Sequence, residues 1–174
     1  MDEVICKYRQ LRADVDRQVD SLYAIHAQHI RCRQQCTDCC MNLTVWPVEF
    51  FAIVEDVRAA GIRPVFDEAA LCGFLKDDLC QIYSFRPIIC RTHGLPLVYL
   101  DDRGDEPRHC VIFCQKNFTA PEADAIEFGP DNTLDMEEAN QSLARLHTAY
   151  LESGGPAGRD EQGRMALSRL IEFL

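Results

Sequence analysis

The chain has 174 residues, a length that favours a single domain with its own hydrophobic core. Its composition, 47% hydrophobic and 26% charged, is that of an ordinary soluble globular protein. The net charge of -10 disfavours nucleic acid or anionic lipid as a partner, because such a chain repels phosphate groups.

The first thirty residues predict one long amphipathic helix, here taken as 1–31. Apolar side chains recur at spacings of three and four residues and therefore share a helix face. They are Val4, Tyr8, Leu11, Val15, Val19, Leu22, Ile25 and His29. The helix is expected to end where the cysteines begin, near Cys32. We interpret His26 and His29 as core residues or partners of the helix dipole rather than as metal ligands.

A second helix is predicted to begin at Pro47 and to end near Gly61, since proline suits a first helical turn and glycine a helix end. Its buried face would comprise Phe50, Phe51, Val54 and Val57. Beyond the break at Pro64, Asp67 could cap a short helical segment through Leu75.

The stretch 72–115 contains four short β-prone runs, QIYSF, PIIC, LPLVYL and VIFC, with a loop or turn at 101–107. These runs are too short and too interrupted by proline for a large sheet, so we expect a small ribbon around the site. Residues 131–174 then predict two helices separated by SGGPAG at 153–158. Their apolar faces would comprise Met136, Ala139, Leu143, Leu146 and Tyr150 in one, and Leu167, Leu170, Ile171 and Leu174 in the other.

The predicted fold is therefore mainly α, a single domain over 1–174 with an irregular cysteine-rich metal-binding centre at 32–115 and minor β structure. No apolar run approaches the roughly 18–20 residues that cross a bilayer. The charged start, MDEVICKYRQ, does not suit a secretory signal, so we expect a cytoplasmic protein with no membrane partner.

Ten cysteines are the exceptional feature of the composition. In a reducing cytoplasm clustered thiols bind metal or perform redox chemistry more often than they form disulfides, so a disulfide-stapled secreted domain is disfavoured. Thiolates close together in a loop can converge on one metal ion or cluster, and a second loop must supply the remaining ligands. The candidates fall in two blocks: Cys32, Cys36, Cys39 and Cys40, then Cys72, Cys80 and Cys90, followed by Cys110 and Cys114. Cys6 stands apart as an ordinary thiol.

Cys39 and Cys40 are adjacent, and neighbouring side chains diverge in helix and strand. One of the pair is therefore expected to ligate a given metal while the other packs or serves a second site. The C-x3-C-x2-C spacing of the first block also occurs in radical S-adenosylmethionine enzymes. Here it follows a helix and no βαβ alternation succeeds it, which disfavours that interpretation.

The two blocks together resemble the YkgJ-type cysteine-cluster family, whose CxxCxxCC signature is associated with zinc or iron chelation. Cys36, Cys39 and Cys40 match the final CxxCC, and Glu49 falls where the family has a Glu after a proline or serine. The second block, CGFLKDDLCQIYSFRPIICR, is similar to the family's C-x-F-L…C-x-I-Y…R-P-x-x-C-R. The matching positions are Cys72, Phe74, Leu75, Cys80, Ile82, Tyr83, Arg86, Pro87, Cys90 and Arg91.

The resemblance implies a metal centre and names no reaction. The family's first cysteine falls at Arg33, whereas this chain has Cys32 one position earlier. Cys110 and Cys114 lie outside the core signature and could add ligands or bind separately, and His93 and His109 could join them.

Zinc and iron both accept four thiolates, so the residue types leave the metal open. An iron–sulfur cluster, 4Fe-4S in preference, is favoured because the cysteines outnumber four, lie on separate loops and have apolar neighbours. The alternative is zinc. Arg86 and Arg91 are predicted to hydrogen-bond the thiolate cluster or to offset its charge. Alternatively, Arg86 pairs with Asp77 or Asp78 at the surface.

Two functions remain open at this point. In the favoured one the metal is structural and the protein is an accessory module; in the other the cluster belongs to a redox-active oxidoreductase or electron-transfer component. No nucleophile–base pair, phosphate loop or HExxH motif is present, and Glu49 alone is too little for acid–base catalysis, so whether the chain is an enzyme stays undecided.

Overall fold

A computed structural model describes residues 1–33, 35–104, 106–158 and 160–174 of the chain. Within these residues it forms four α-helices: α1 (Asp2–Ile25), α2 (Pro47–Ala59), α3 (Ile88–Thr92) and α4 (Met136–Glu152). In the part of the chain so described, no helix combines the length and the apolar character that crossing a bilayer demands.

The β structure is confined to short strands in small sheets. The strands of the described residues are β1 (Thr44–Val45), β2 (Leu75–Lys76), β3 (Leu79–Cys80), β4 (Leu97–Asp101), β5 (Arg108–Ile112), β6 (Leu134–Asp135) and β7 (Met165–Ala166). β1 pairs with β7 and β2 with β3, both antiparallel. In the third sheet β4 lies between antiparallel β5 and parallel β6. The predicted fold, mainly α with minor β, is confirmed.

Helix α1 buries four of the eight residues predicted for its apolar face: Tyr8, Val15, Val19 and Leu22. The prediction is wrong for Ile25, which is 51% exposed, and for His29, which lies beyond the helix end. The predicted end near Cys32 is wrong, because the helix ends at Ile25. His26 is the C-cap residue, and its side chain is buried with Nε2 2.7 Å from the Asn132 carbonyl oxygen. His26 is therefore a core residue, as predicted.

Two hydrophobic clusters meet at α2. One face of α2 packs with α1, α3, α4 and β4. The other face, which includes Phe50 and Val54, packs with Phe74, Ile82 and the C-terminal 3-10 helix Leu167–Phe173. Since α2 has apolar neighbours on both sides, it forms the centre of the molecule, and the cysteine-bearing segments lie against its second face.

Three local predictions are wrong in an informative way. The β-prone runs QIYSF and PIIC contain a 3-10 turn, Tyr83–Phe85, and helix α3. The predicted helical segment after Asp67 consists of turns, because the Asp67 carboxylate accepts a hydrogen bond from the Ala69 N–H at 2.9 Å and closes an Asx turn. The last predicted helix is the 3-10 helix named above rather than an α-helix.

Candidate metal centre

Seven of the predicted ligands line a single cleft of about 150 Å³. They are Cys32, Cys36, Cys39, Cys40, Cys72, Cys80 and Cys90. They come from the loop between α1 and β1, from the segment around the β2–β3 hairpin, and from α3. Apolar side chains such as Leu43, Phe74 and Ile82 complete the walls. The fold therefore brings thiols from distant parts of the sequence to one place, and this donor chemistry fits a thiolate-bound metal.

The described residues of the first segment, 31–43, form two tight turns and no helix or strand. The Cys36 N–H donates to the Arg33 carbonyl oxygen and the Cys40 N–H to that of Thr37, both at 2.9 Å. Each turn ends on a cysteine. The cysteine spacing of the first block thus matches the length of these turns, and the cysteines at the ends of the turns line the cleft.

The second segment is the β2–β3 hairpin, whose turn is Asp77–Asp78. Both aspartates have positive φ, 51° and 59°, as in a two-residue type I′ turn, and aspartate tolerates this region better than most residues. The hairpin pairs Leu75 with Cys80, and the Leu75 N–H donates to the Cys72 carbonyl oxygen at 3.0 Å. Cys72 and Cys80 therefore reach the cleft together.

Asn42 joins these two segments. Its side-chain oxygen Oδ1 accepts a hydrogen bond from the Gly73 N–H at 3.1 Å. Since Cys40 precedes Asn42 by two residues and Cys72 precedes Gly73 directly, this bond draws Cys40 towards the hairpin thiols.

The third segment is α3, which carries Cys90 and is positioned by a buried carboxylate. Oε1 of Glu49 accepts hydrogen bonds from the Tyr8 hydroxyl at 2.9 Å and from the Ile88 N–H at 2.8 Å. Ile88 is the first residue of α3, so the bond satisfies one of the free N–H groups at the helix start. Burial raises the pKa of Glu49. Glu49 thus joins α1, α2 and α3, and serves as a positioning residue.

Replacing Glu49 with alanine should lower the free energy of unfolding of the metal-free protein by about 3 kcal/mol, because two buried donors lose their acceptor. Glu49→Gln keeps an oxygen that can accept both bonds and should cost about 1 kcal/mol or less. Urea unfolding followed by far-UV circular dichroism would measure both values. Equal losses in the two variants would contradict this assignment, since the carboxylate charge rather than its acceptor oxygen would then matter.

Arg91 and Arg86 have different surroundings. The Arg91 side chain is 8% exposed and its Nη1 lies 2.7 Å from Asp16 Oδ1 on α1. It also donates to the carbonyl oxygens of Ser84 at 2.5 Å and Arg86 at 2.6 Å. Arg91 also lines the cleft, but Asp16 and these two carbonyl oxygens engage its guanidinium, so Arg91 ties the chain before α3 to α1.

The Arg86 guanidinium stacks on the Tyr83 ring, 3.5 Å from its centroid. Its charge acts to lower the pKa of Cys40, Cys80 and Cys90, against the larger effect of burial. No ion pair joins Arg86 to Asp77 or Asp78 in the described part of the chain. Of the two arginines, Arg86 is the one whose charge acts on the thiols.

Asn117, a residue that is 1% exposed and that no sequence motif indicated, forms a hydrogen-bonded junction. Its Oδ1 accepts from the N–H groups of Arg31 at 2.7 Å and Cys32 at 3.3 Å. Its Nδ2 donates to the Gly94 carbonyl oxygen at 2.6 Å and lies 3.4 Å from Cys32 Sγ. The Asn117 N–H donates to the Cys114 carbonyl oxygen at 2.9 Å. Asn117 thus holds Cys32 and Cys114 next to Gly94.

Burial raises the pKa of the thiols, to about 12 for Cys90 and to about 11 for Cys32 and Cys40. The pKa of Cys39 and of Cys80 is also raised, again mainly by burial. Neighbouring thiols add to the effect because like charges oppose each other. These cysteines are therefore protonated at neutral pH when no metal is bound.

Metal binding should consequently release protons, about four for each ion held by four thiolates. Titration calorimetry of zinc binding at pH 7.5, in buffers of different ionisation enthalpy, would give the number of protons released. Because the raised pKa values favour the thiol form, apparent zinc affinity should rise with pH between 6.5 and 8.5. Proton release close to zero would show that the thiols are already ionised.

Of the remaining candidates, Cys114 lies beside Cys32 at Gly94, while the others lie at the rim of the cleft or on β5. Cys110 is in β5, with its Sγ 3.6 Å from the Tyr99 carbonyl oxygen, and Cys6 is exposed on α1. His93 is exposed at the end of α3 and lines the cleft, whereas His109 is exposed on β5. Among the described residues, no three or more His, Cys, Asp or Glu side chains form a closed coordination group for one metal ion.

Comparison with known proteins agrees with this site. A family model, CxxCxxCC, described as "Putative zinc- or iron-chelating domain", matches residues 31–111. This range contains the seven cysteines of the cleft and Cys110, and it ends before Cys114. Comparisons with curated proteins and with solved structures give no match. Residues 31–111 of this chain are therefore similar to the CxxCxxCC family domain.

Proposed function

We propose that this protein holds an iron–sulfur cluster through its clustered cysteines and that the cluster serves a structural or accessory role. One observation carries the proposal: seven cysteines from three separate segments line the same cleft. The family description supports chelation of zinc or iron by the same stretch of chain.

Two features of the cleft favour an iron–sulfur cluster, 4Fe-4S in preference, over a lone zinc ion. The thiols outnumber the four that a structural zinc requires. Apolar side chains, including Phe74 and Ile82, share the walls with them and would shield a cluster from water. When bound, such a cluster supplies four iron–thiolate bonds and a site for one-electron transfer.

A structural role follows from the elements that the thiols connect. Segment 31–43 has no helix or strand among its described residues, and β2 and β3 have two residues each. Bonds from one metal centre to both segments and to α3 would cross-link parts of the chain that are otherwise joined by few hydrogen bonds. Metal binding would then contribute directly to the folding free energy.

The test is the metal content of protein purified without oxygen. We expect iron and acid-labile sulfide in equal amounts and absorption near 400 nm. Removing the metal with a chelator should lower the midpoint of urea unfolding, while Cys6→Ser, which changes an exposed thiol away from the cleft, should leave metal content unchanged. A colourless protein with stoichiometric zinc would show that the bound metal is zinc rather than an iron–sulfur cluster. A protein free of both metals would overturn the proposal.

A redox-active centre is the second candidate, favoured by exposed residues at the rim of the cleft. Tyr83 and Ile89 line the cleft and are 42% and 40% exposed, so a partner could approach the thiols closely there. A reversible reduction potential within the physiological range would support electron transfer. Loss of stability on chelation without any reversible redox response would support the structural role.

A further inference from the structure

We propose that the cysteines form two separate four-thiolate metal centres rather than one centre with spare thiols. The first, called the Cys32 group, consists of Cys32, Cys36, Cys39 and Cys114. The second, called the Cys40 group, consists of Cys40, Cys72, Cys80 and Cys90. The inference rests on the proposed function and goes beyond the family domain, because Cys114 lies outside the matched range 31–111.

The contacts around Gly94 and Asn117 assemble one side of the Cys32 group. A Cβ atom placed on Gly94 would lie 2.6 Å from Cys32 Sγ and 3.6 Å from Cys114 Cβ, so both cysteines border the same glycine. Asn117 bonds to both, through Nδ2 to Cys32 Sγ and through its N–H to the Cys114 carbonyl oxygen.

A second hollow next to the main cleft is bordered by two members of the Cys32 group. Of the cysteines it contacts only Cys32 and Cys36 among the described residues. The Lys116–Asp38 ion pair also lines it and connects the loop of Cys36 to the segment after Cys114. Cys39 lies in the turn 37–40 directly after Cys36 and lines the main cleft together with Cys32 and Cys36.

The Cys40 group is assembled by different contacts. The Asn42 bond to Gly73 brings Cys40 beside Cys72, and the hairpin register places Cys80 next to Cys72. Cys40, Cys72, Cys80 and Cys90 all line the main cleft. Burial, and after it Cys39, Cys72 and Cys80, raise the pKa of Cys40, while burial raises the pKa of Cys90 against the charge of Arg86. Cys72 and Cys80 also pack against the second hydrophobic cluster.

Each group has its own cation. Four thiolates around a metal carry a net negative charge, so a nearby cation lowers the cost of holding it in the protein. Lys116 faces Cys36 and Cys114, and Arg86 faces the thiols of Cys40, Cys80 and Cys90. The presence of a separate cation beside each group of thiols favours two charged metal centres over a single one.

The division falls between Cys39 and Cys40, the adjacent pair. Side chains of neighbouring residues diverge, so one metal does not easily accept both. Two centres give each of them a ligand position. In each centre every thiol would lose its proton to solvent and form one metal–sulfur bond.

The experiment compares two double variants, Cys32→Ser/Cys114→Ser and Cys80→Ser/Cys90→Ser, with Cys6→Ser as the control. Iron, sulfide and zinc are measured per folded chain after anaerobic purification, with far-UV circular dichroism to verify folding. We expect each double variant to lose about half of the metal, the combined variant to lose all of it, and Cys6→Ser to lose none. Complete loss in either double variant, or no loss in one of them, would overturn the two-centre proposal.

Alkylation of the unmodified protein gives a test that does not depend on a variant folding. With metal bound, iodoacetamide should label Cys6 and Cys110 while the eight grouped cysteines are protected, and stepwise chelation should expose them four at a time. If bound metal protected only four cysteines from alkylation, the chain would hold a single metal centre and the proposal would be overturned. If purified, reconstituted protein binds neither iron nor zinc, the proposed metal-binding function itself fails, which is a distinguishable result.

Discussion

Gly94→Ala should lose the metal of the Cys32 group, a drop of about half in the metal content of the chain. The ideal Cβ position is 2.6 Å from Cys32 Sγ, far inside ordinary contact, so the thiol must move from its place beside Cys114. The φ angle of Gly94 is +94°, a region that side chains rarely adopt, and this strain costs about 1–3 kcal/mol. Metal analysis and urea unfolding would measure the two effects.

Gly61→Ala is the matched control. Gly61 also has a positive φ, +67°, but a Cβ there would meet nothing within 4 Å. The control variant should therefore pay a backbone cost of about 1 kcal/mol and keep all of its metal. A Gly94→Ala protein with full metal content, or a Gly61→Ala protein with the same metal loss, would show that the contact with Cys32 is not what matters.

The sequence predicted the elements whose signal is periodic and local. The apolar spacing along α1, α2 and α4 was sufficient to place these helices, and Pro47 marked the start of α2. The run PIIC was misassigned as β because adjacent isoleucines favour strands. Its helix begins at Ile88, where a carboxylate 39 residues earlier in the chain accepts the free N–H. That tertiary contact overrides the local preference and cannot be read from PIIC alone.

The site was predictable to the extent that cysteine spacing reports it. The two blocks and the resemblance identified the thiols, but the residues that position them have no such pattern. Asn117 acts on Cys32 across 85 residues, and Arg91 reaches Asp16 across 75. An asparagine or a glycine is common in loops for many reasons, so only the folded arrangement distinguishes Asn117 and Gly94 from the others.

Asn117→Ala should lower the free energy of unfolding of the metal-free protein by about 3 kcal/mol and remove the metal of the Cys32 group. The substitution removes the bonds from the Arg31 and Cys32 N–H groups and one of the two bonds that the Gly94 carbonyl oxygen accepts, the other coming from the Cys114 N–H, and each lost bond costs about 1 kcal/mol. Without this junction, Cys32 is no longer held beside Cys114. Asn140→Ala, at an exposed position of α4, is the control and should change neither quantity.

Asn117→Asp separates the two roles of the side chain. The aspartate keeps an oxygen to accept from the Arg31 and Cys32 N–H groups, but it loses the amide donor to the Gly94 carbonyl oxygen and to Cys32 Sγ. A carboxylate facing a thiolate opposes its ionisation, so this variant should also lose the metal of the Cys32 group. Full metal content in Asn117→Asp would mean that accepting bonds from the loop is sufficient. The N–H donated towards the sulfur would then have no part in holding the centre.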